Sequence, residues 1–329
     1  MRLFRRTYGR TVFGALLWAA LLAASGARAA DSPPGIAGRE ITDGAGRIVR
    51  ADKPFTRIIS LYPAHTENLF ALGLDKEIVG VSALDDYPPQ AEARPRFSYR
   101  DDPERFLAAW PDLVLVRPMV DRAYPQLLAI LEQRGIAVVS LQPSGVEELS
   151  GYWRILGALT GKEKEAQALA DDFFGQVEAW RRWSRGIRPK KRVYFEAVHS
   201  KTKTFSPGAM AIFALTAAGG LNAAADAVPS RGTNIAVFGK ERLLSRAGAI
   251  DVYLAQSGAM NQVSRETILE EPGFSLIKAV QEGEVYILDE ALVSRPTPRL
   301  LQGIWRIAEI LYPGRVPADP AVGLQGSAP

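Results

Sequence analysis

Residues 162–185, KEKEAQALADDFFGQVEAWRRWSR, decide the architecture of the chain. Ala166, Leu169, Phe173, Val177 and Trp180 stand 3, 4, 4 and 3 residues apart, which puts them on one stripe of an α-helix. At 1.5 Å per residue that helix is about 35 Å long. Gly186 and Pro189 stop it. A shorter helical segment, Val146 to Leu159, precedes it and breaks at Thr160-Gly161.

On both sides of this helical region, apolar runs of strand length alternate with helical patterns. Upstream, strands are predicted at 57–62, 77–81, 112–116 and 136–141, with helices near 66–72, 102–109 and 124–134. Downstream, strands are predicted at 192–198, 250–255 and 284–288, with helices at 210–218, 275–282 and 299–311. The runs are continuously apolar rather than alternating, the mark of parallel strands covered on both faces. The fold class is therefore α/β: two parallel-sheet lobes, 30–145 and 189–315, joined through a helical linker, 146–188, by a single long α-helix. A hairpin, Glu40 to Asp43 with Arg47 to Val49, leads into the first lobe.

The ends read differently. Arg2, Arg5, Arg6 and Arg10 open the chain, and the uncharged run Val12 to Ala24 follows. That run is shorter than the roughly 20 residues a membrane-spanning helix needs. Ala27-Arg28-Ala29 then presents small residues where a signal peptidase cuts, so residues 1–29 read as a secretory signal cleaved after Ala29. Arg5-Arg6 keeps twin-arginine export open beside the general route. Residues 316–329 are expected to form a disordered tail. The full chain carries 40 Lys+Arg against 36 Asp+Glu; without the signal's five arginines it carries 35 against 36. The basic excess thus belongs to the signal and makes no case for nucleic-acid binding. There is no cysteine, hence no disulfide, no thiolate metal site, no thiol nucleophile and no thiol for a lipid anchor. The expected location is the periplasm, as a soluble monomer that is not a lipoprotein.

Four segments carry a family resemblance. They are Arg57-Ile58-Ile59-Ser60-Leu61-Tyr62-Pro63-Ala64-His65-Thr66-Glu67 with Phe70 to Leu74, and Val79-Gly80-Val81 leading to Asp86-Tyr87-Pro88-Pro89. The others are Glu104 with Trp110 to Val114, and Gly283 to Tyr286 leading to Arg295-Pro296-Thr297-Pro298-Arg299-Leu300. In order and spacing the chain resembles the helix-linked class of ABC-transporter substrate-binding proteins, the class for cobalamin and ferric siderophores. The resemblance covers roughly 41–313. It implies a stiff receptor, with a ligand cleft between the lobes at the carboxyl ends of the strands. It also implies two acidic residues, matched here by Glu104 and Glu241, that dock into an ABC permease dimer served by its ATPase.

Cleft loops read from the strand ends give a ligand-binding set of Tyr62, His65, Tyr87, Tyr99, Arg117, His199, Arg231 and Arg295. Arginines clamp oxyanions and tyrosines add flat area with a hydroxyl. Such a set suits an iron(III)-siderophore-like chelate. A corrinoid (cobalamin or cobinamide) also suits the aromatics, and haem would take a tyrosine as axial ligand. His65 has a second reading, as a loop-packing histidine. No metal site and no resident cofactor are expected; the metal would arrive with the ligand. Neither a G-x-S-x-G elbow nor a phosphate-binding glycine loop is present, so an enzyme is not expected and no catalytic residue is assigned. A periplasmic metal-processing α/β enzyme or a sensor domain is the reading from another class.

Overall fold

The computed structural model describes residues 34–230 and 233–317. The predicted signal peptide, Arg231 and residues 318–329 lie outside the described residues. A small antiparallel sheet comes first, made of β1 (Gly35–Ala37), β2 (Glu40–Thr42) and β3 (Ile48–Arg50). The fully buried carboxylate of Asp43 holds its turn, accepting from the amides of Ala45 and Arg47 and, across the fold, from that of Ser140. The predicted hairpin is thereby sewn onto the first lobe.

That lobe runs β4 (Ile58–Ser60), α1 (Pro63–Ala71), β5 (Ile78–Ser82), α2 (Pro89–Glu92), β6 (Arg96–Phe97), α3 (Pro103–Ala108), β7 (Leu113–Val116), α4 (Pro118–Ala123), α5 (Pro125–Gln133) and β8 (Ala137–Ser140). The strands lie in the order β6-β5-β4-β7-β8, all parallel. From β4 the chain winds outward to β6, then returns to β7 and winds the other way. The strand order therefore reverses between β4 and β7. Loops leaving two such strands part in opposite directions and open a crevice at their carboxyl ends.

The linker holds α6 (Leu149–Thr160) and α7 (Glu163–Arg185), the latter within a residue of the helix read from the sequence. Gly161 ends α6 at φ 67°, a left-handed conformation that glycine takes without strain. The α7 stripe is buried at Ala166, Phe173, Val177 and Trp180, and Phe173 packs edge-on against Trp153 of α6. One continuous apolar core runs from Ile58 and Leu113 of the first sheet, through Trp153, Phe173 and Trp180, to Val193, Leu215 and Ile304 of the second lobe.

The second lobe runs β9 (Arg192–Val198), β10 (Lys203–Phe205), α8 (Met210–Ala217), β11 (Leu221–Asn222), β12 (Val228–Pro229), β13 (Ile235–Val237), α9 (Lys240–Ser245), β14 (Val252–Ser257), α10 (Arg265–Glu270), α11 (Lys278–Gln281), β15 (Val285–Asp289), α12 (Glu290–Val293) and α13 (Leu300–Leu311). Its sheet corrects the expectation of two parallel lobes. β11, β14 and β15 join parallel, but β10, β12 and β13 form an antiparallel flank in the order β12-β13-β10-β9-β14-β15. The cause is local. A tight turn at His199–Lys201, with Thr202 at φ 44°, sends the chain straight back along β9. A parallel neighbour needs a crossover of about a dozen residues or more.

Two smaller expectations change as well. The helix predicted at 275–282 is confined to α11, because Ile277 takes an extended backbone and buries its side chain beside Phe274. The tail does not begin at 316. The indole of Trp183 donates to the Arg315 carbonyl at 3.0 Å, and that of Trp305 to the Pro317 carbonyl at 3.1 Å. Among the described residues no helix is long and apolar enough to cross a membrane.

The α6–α7 crossing offers a stability test. A Cβ added at Gly157 would stand 2.8 Å from the Ala166 Cβ and 2.9 Å from the Lys162 carbonyl oxygen, whereas one at Gly151 meets nothing within 4 Å. Gly157→Ala is expected to lower unfolding stability by about 1–3 kcal/mol through overpacking. Gly151→Ala should raise it by about 0.5–1 kcal/mol through helix propensity. Urea unfolding of the two variants checks the pair, and equal shifts would contradict the crossing.

Candidate ligand-binding cleft

α1 is the element from which the cleft is built. Seven of its residues, Pro63 to Leu69, are buried, including the consecutive polar residues His65, Thr66, Glu67 and Asn68. A helix buried all round must satisfy every polar group it carries. Each of these does so in a different direction, and two of them, Glu67 and Asn68, reach the second lobe.

His65 is fully buried, and both ring nitrogens are engaged: Nδ1 lies 2.6 Å from the Tyr152 hydroxyl and Nε2 lies 2.9 Å from the Val116 carbonyl oxygen. A carbonyl only accepts, so Nε2 carries the hydrogen and Nδ1 accepts from the tyrosine. No lone pair is left for a metal or ligand. The loop-packing alternative describes this residue, and its assignment as a ligand contact is corrected. Asn68 completes the joint. Its Nδ2 donates to the Pro296 carbonyl of the second lobe at 2.9 Å, and its Oδ1 accepts from the Trp153 indole at 2.6 Å.

Glu67, 4% exposed, faces two arginines from the second lobe. Arg299 grips it with two nearly parallel hydrogen bonds, Nε to Oε2 at 2.8 Å and Nη2 to Oε1 at 2.7 Å. Arg295 Nη1 adds a third at 3.1 Å and reaches the exposed Asp86 at 3.4 Å. Burial works against the charge on Arg295, but Glu67, then Asp86 and Glu290, outweigh it and hold its pKa above the ordinary value. The charge of Arg295, expected at the cleft, is engaged by the protein's own carboxylates. The neighbouring aspartates divide their work. Asp85 turns inward to the hydroxyls of Thr66 and Ser82, and burial raises its pKa, while Asp86 turns outward to Arg295.

The polar feature left open sits at the β4/β7 crevice. Tyr62 caps α1 directly after β4, and Arg117 caps α4 directly after β7. The Arg117 guanidinium lies 5.0 Å from the centre of the Tyr62 ring. Arg117 is half-buried and has no acidic partner among the described residues. Burial raises the Tyr62 phenol pKa, opposed by Arg117 and Arg295. At the mouth, Tyr87 is 38% exposed, with the Arg299 guanidinium 3.9 Å from its ring centre. Leu84 on the same loop is 66% exposed and Met260, on the loop after β14, is 63% exposed.

The remaining expectations scatter. Tyr99 stacks on Tyr124 with ring centres 4.7 Å apart. His199 forms a cluster within the second lobe, its Nδ1 at 2.9 Å from the fully buried Glu196 and its Nε2 at 3.7 Å from Glu271. Glu196, then Glu271, raises its pKa despite burial. Its backbone amide donates to Asn261 at 2.9 Å, which locks the β9 and β14 loops together. Glu104 and Glu241 stand exposed in the first turns of α3 and α9, and neither has an ion-pair partner among the described residues. Glu67, Arg299, Leu84 and Met260 were missed. The signals were an acid within the polar run His65 to Asn68 and two arginines four residues apart.

The two histidines give opposite pH dependences. His65, held neutral by burial and then by Arg117, titrates at about 4 against an ordinary 6.5. The unfolded chain takes up the proton more readily, so stability falls as pH drops from 6.5 to 4, by about 3 kcal/mol in full. His199, with a raised pKa, contributes below its unfolded value and loses that contribution as pH rises through the folded one. His65→Asn should be less stable at pH 7.5 yet flatter between pH 6.5 and 4. Profiles that stay parallel to wild type, measured by chemical denaturation, would contradict this account.

Comparison with known proteins agrees with the geometry. The model of the periplasmic binding protein family matches residues 58–292. A vitamin B12-binding protein of Vibrio cholerae is 28% identical over 264 residues, 79% of this chain and 91% of that protein. An uncharacterized ABC transporter substrate-binding lipoprotein of Bacillus subtilis is 26% identical over 314 residues, 92% of this chain and 96% of that protein. Among solved structures, a possible iron-binding periplasmic solute-binding protein of Staphylococcus epidermidis aligns with a TM-score of 0.68 at 27% identity, covering 79% of this chain and all of that one. The chain belongs to the periplasmic binding protein family, the ligand-receptor family of ABC transporters.

Proposed function

We propose that this chain is exported to the periplasm, acts there as the monomeric ligand receptor of an ABC importer, and takes a corrinoid. The observation that carries the ligand class is the neutralisation of Arg295 and Arg299 by Glu67. A strongly anionic ferric chelate needs uncommitted guanidinium groups, and Arg117 is the half-buried one that the crevice offers. Exposed apolar and aromatic area stands on the loops that follow β5 and β14, at Leu84, Tyr87 and Met260. Those features suit a broad, flat macrocycle with amide edges and little net charge. The likeness to a B12-binding protein supports the same reading. The sequence holds no cysteine to carry a thioether-linked lipid, which supports reading the mature protein as not a lipoprotein. It returns its ligand unchanged and has no enzymatic step.

Cyanocobalamin, cobinamide, haemin and a ferric tris-catecholate, screened by thermal shift and calorimetry, test the ligand. A corrinoid is expected to raise Tm and to bind most tightly. Arg117→Ala should weaken it by about 1–3 kcal/mol if a ligand oxygen is bound there. Binding of the ferric chelate alone would restore the siderophore reading, and binding of haemin alone the haem reading.

Glu104 and Glu241 are the residues proposed to dock into the permease. Charge reversal at both should reduce uptake about tenfold or more, since each lost charged contact is worth about 1.4 kcal/mol or more. Ligand affinity should stay within about twofold of wild type, because neither exposed carboxylate shares a hydrogen bond or ion pair with Tyr62, Arg117, Glu67, Arg295 or Arg299. Equal loss of binding and uptake would remove the docking assignment.

A further inference from the structure

Glu67 is placed to do more than join the lobes. Its Oε1 accepts from both Arg295 and Arg299 while its Oε2 accepts from Arg299 Nε. Asp86 covers Arg295 from the solvent side, and the Tyr87 ring covers the face of Arg299. Two guanidiniums therefore meet two carboxylates and one aromatic face, with no net charge left over. The arrangement is hard to displace. Glu67 sits on a helix buried along most of its length, and its neighbour Asn68 is bonded to Pro296 and Trp153 on either side. A ligand anion that meets the remaining donors, Nε and Nη2 of Arg295 and Nη1 of Arg299, finds two guanidiniums whose charge Glu67 and Asp86 already offset.

We propose that Glu67 is a specificity-determining residue, which withdraws Arg295 and Arg299 from the cleft and so selects against polyanionic chelates. The claim rests on the receptor reading above and names the charge class that the receptor refuses. It also assigns Asp86 the same role in weaker form, on the exposed side of Arg295.

The test compares wild type, Glu67→Gln and Asp86→Asn for binding of a ferric tris-catecholate trianion and of cyanocobalamin, at low and high salt. Freed guanidiniums should bind the trianion about tenfold tighter in Glu67→Gln and roughly threefold tighter in Asp86→Asn at low salt, with both gains shrinking at high salt. Cyanocobalamin affinity should change less than that of the trianion in each variant. No gain in either folded variant would overturn the proposal. If Glu67→Gln fails to fold, the exposed Asp86→Asn decides alone, and an unchanged trianion affinity there counts against it. A wild type that binds no corrinoid would sink the ligand reading but not this one, because the gain is read against the wild type's own affinity for the trianion.

Discussion

A single carboxylate held between two guanidiniums sets the geometry of this receptor. Glu67 reaches from the first lobe and Arg295 and Arg299 reach from the second, so their bonds fix the distance between the two walls of the cleft. Buried ion pairs are not strong sources of stability, because desolvation offsets most of their attraction. Their force is directional: removing one partner leaves an uncompensated charge in a dry interface. The neighbouring contacts from His65 to Val116 and from Asn68 to Pro296 follow the same logic with neutral groups. Rigidity thus comes from α1 and its polar row as much as from the long helix α7.

The crevice itself follows from chain winding. Reversal of strand order between β4 and β7 leaves Tyr62 and Arg117 at adjacent strand ends, and neither depends on a long loop for its position. Residues seated at the ends of buried strands move little, which suits a receptor that must hold a ligand without reshaping around it. Charge in this part of the molecule is divided by carboxylate partner. The arginines facing Glu67 are spent, while Arg117, stacked on an aromatic ring, keeps its donors free.

The alternation of apolar runs and the 3.6-residue stripe from Ala166 to Trp180 made both lobes and the linking helix readable from residues alone. What was not readable is set by long-range pairing. The antiparallel flank of the second sheet depends on strands of two or three residues, too short to show a period. Four of the expected ligand contacts were placed by strand order, and order cannot say which way a side chain turns. His65 and Arg295 sit where the loops predicted and face protein instead. Tyr99 is drawn off by Tyr124, and His199 by Glu196. Glu67 was visible only as an acid in a short polar run, and its partners lie 228 and 232 residues away along the chain.

The unbroken apolar core that passes from the first sheet through Trp153 and Phe173 to Ile304 has a consequence for how the molecule comes apart. Lobes with separate interiors can melt one after the other, and each can persist as a fragment. Here α6 and α7 give their side chains to an interior shared by both halves, beside a smaller apolar cluster confined to each lobe. Loss of the shared interior is then felt by both lobes, and a single proteolytic cut in α7 exposes apolar surface in both halves.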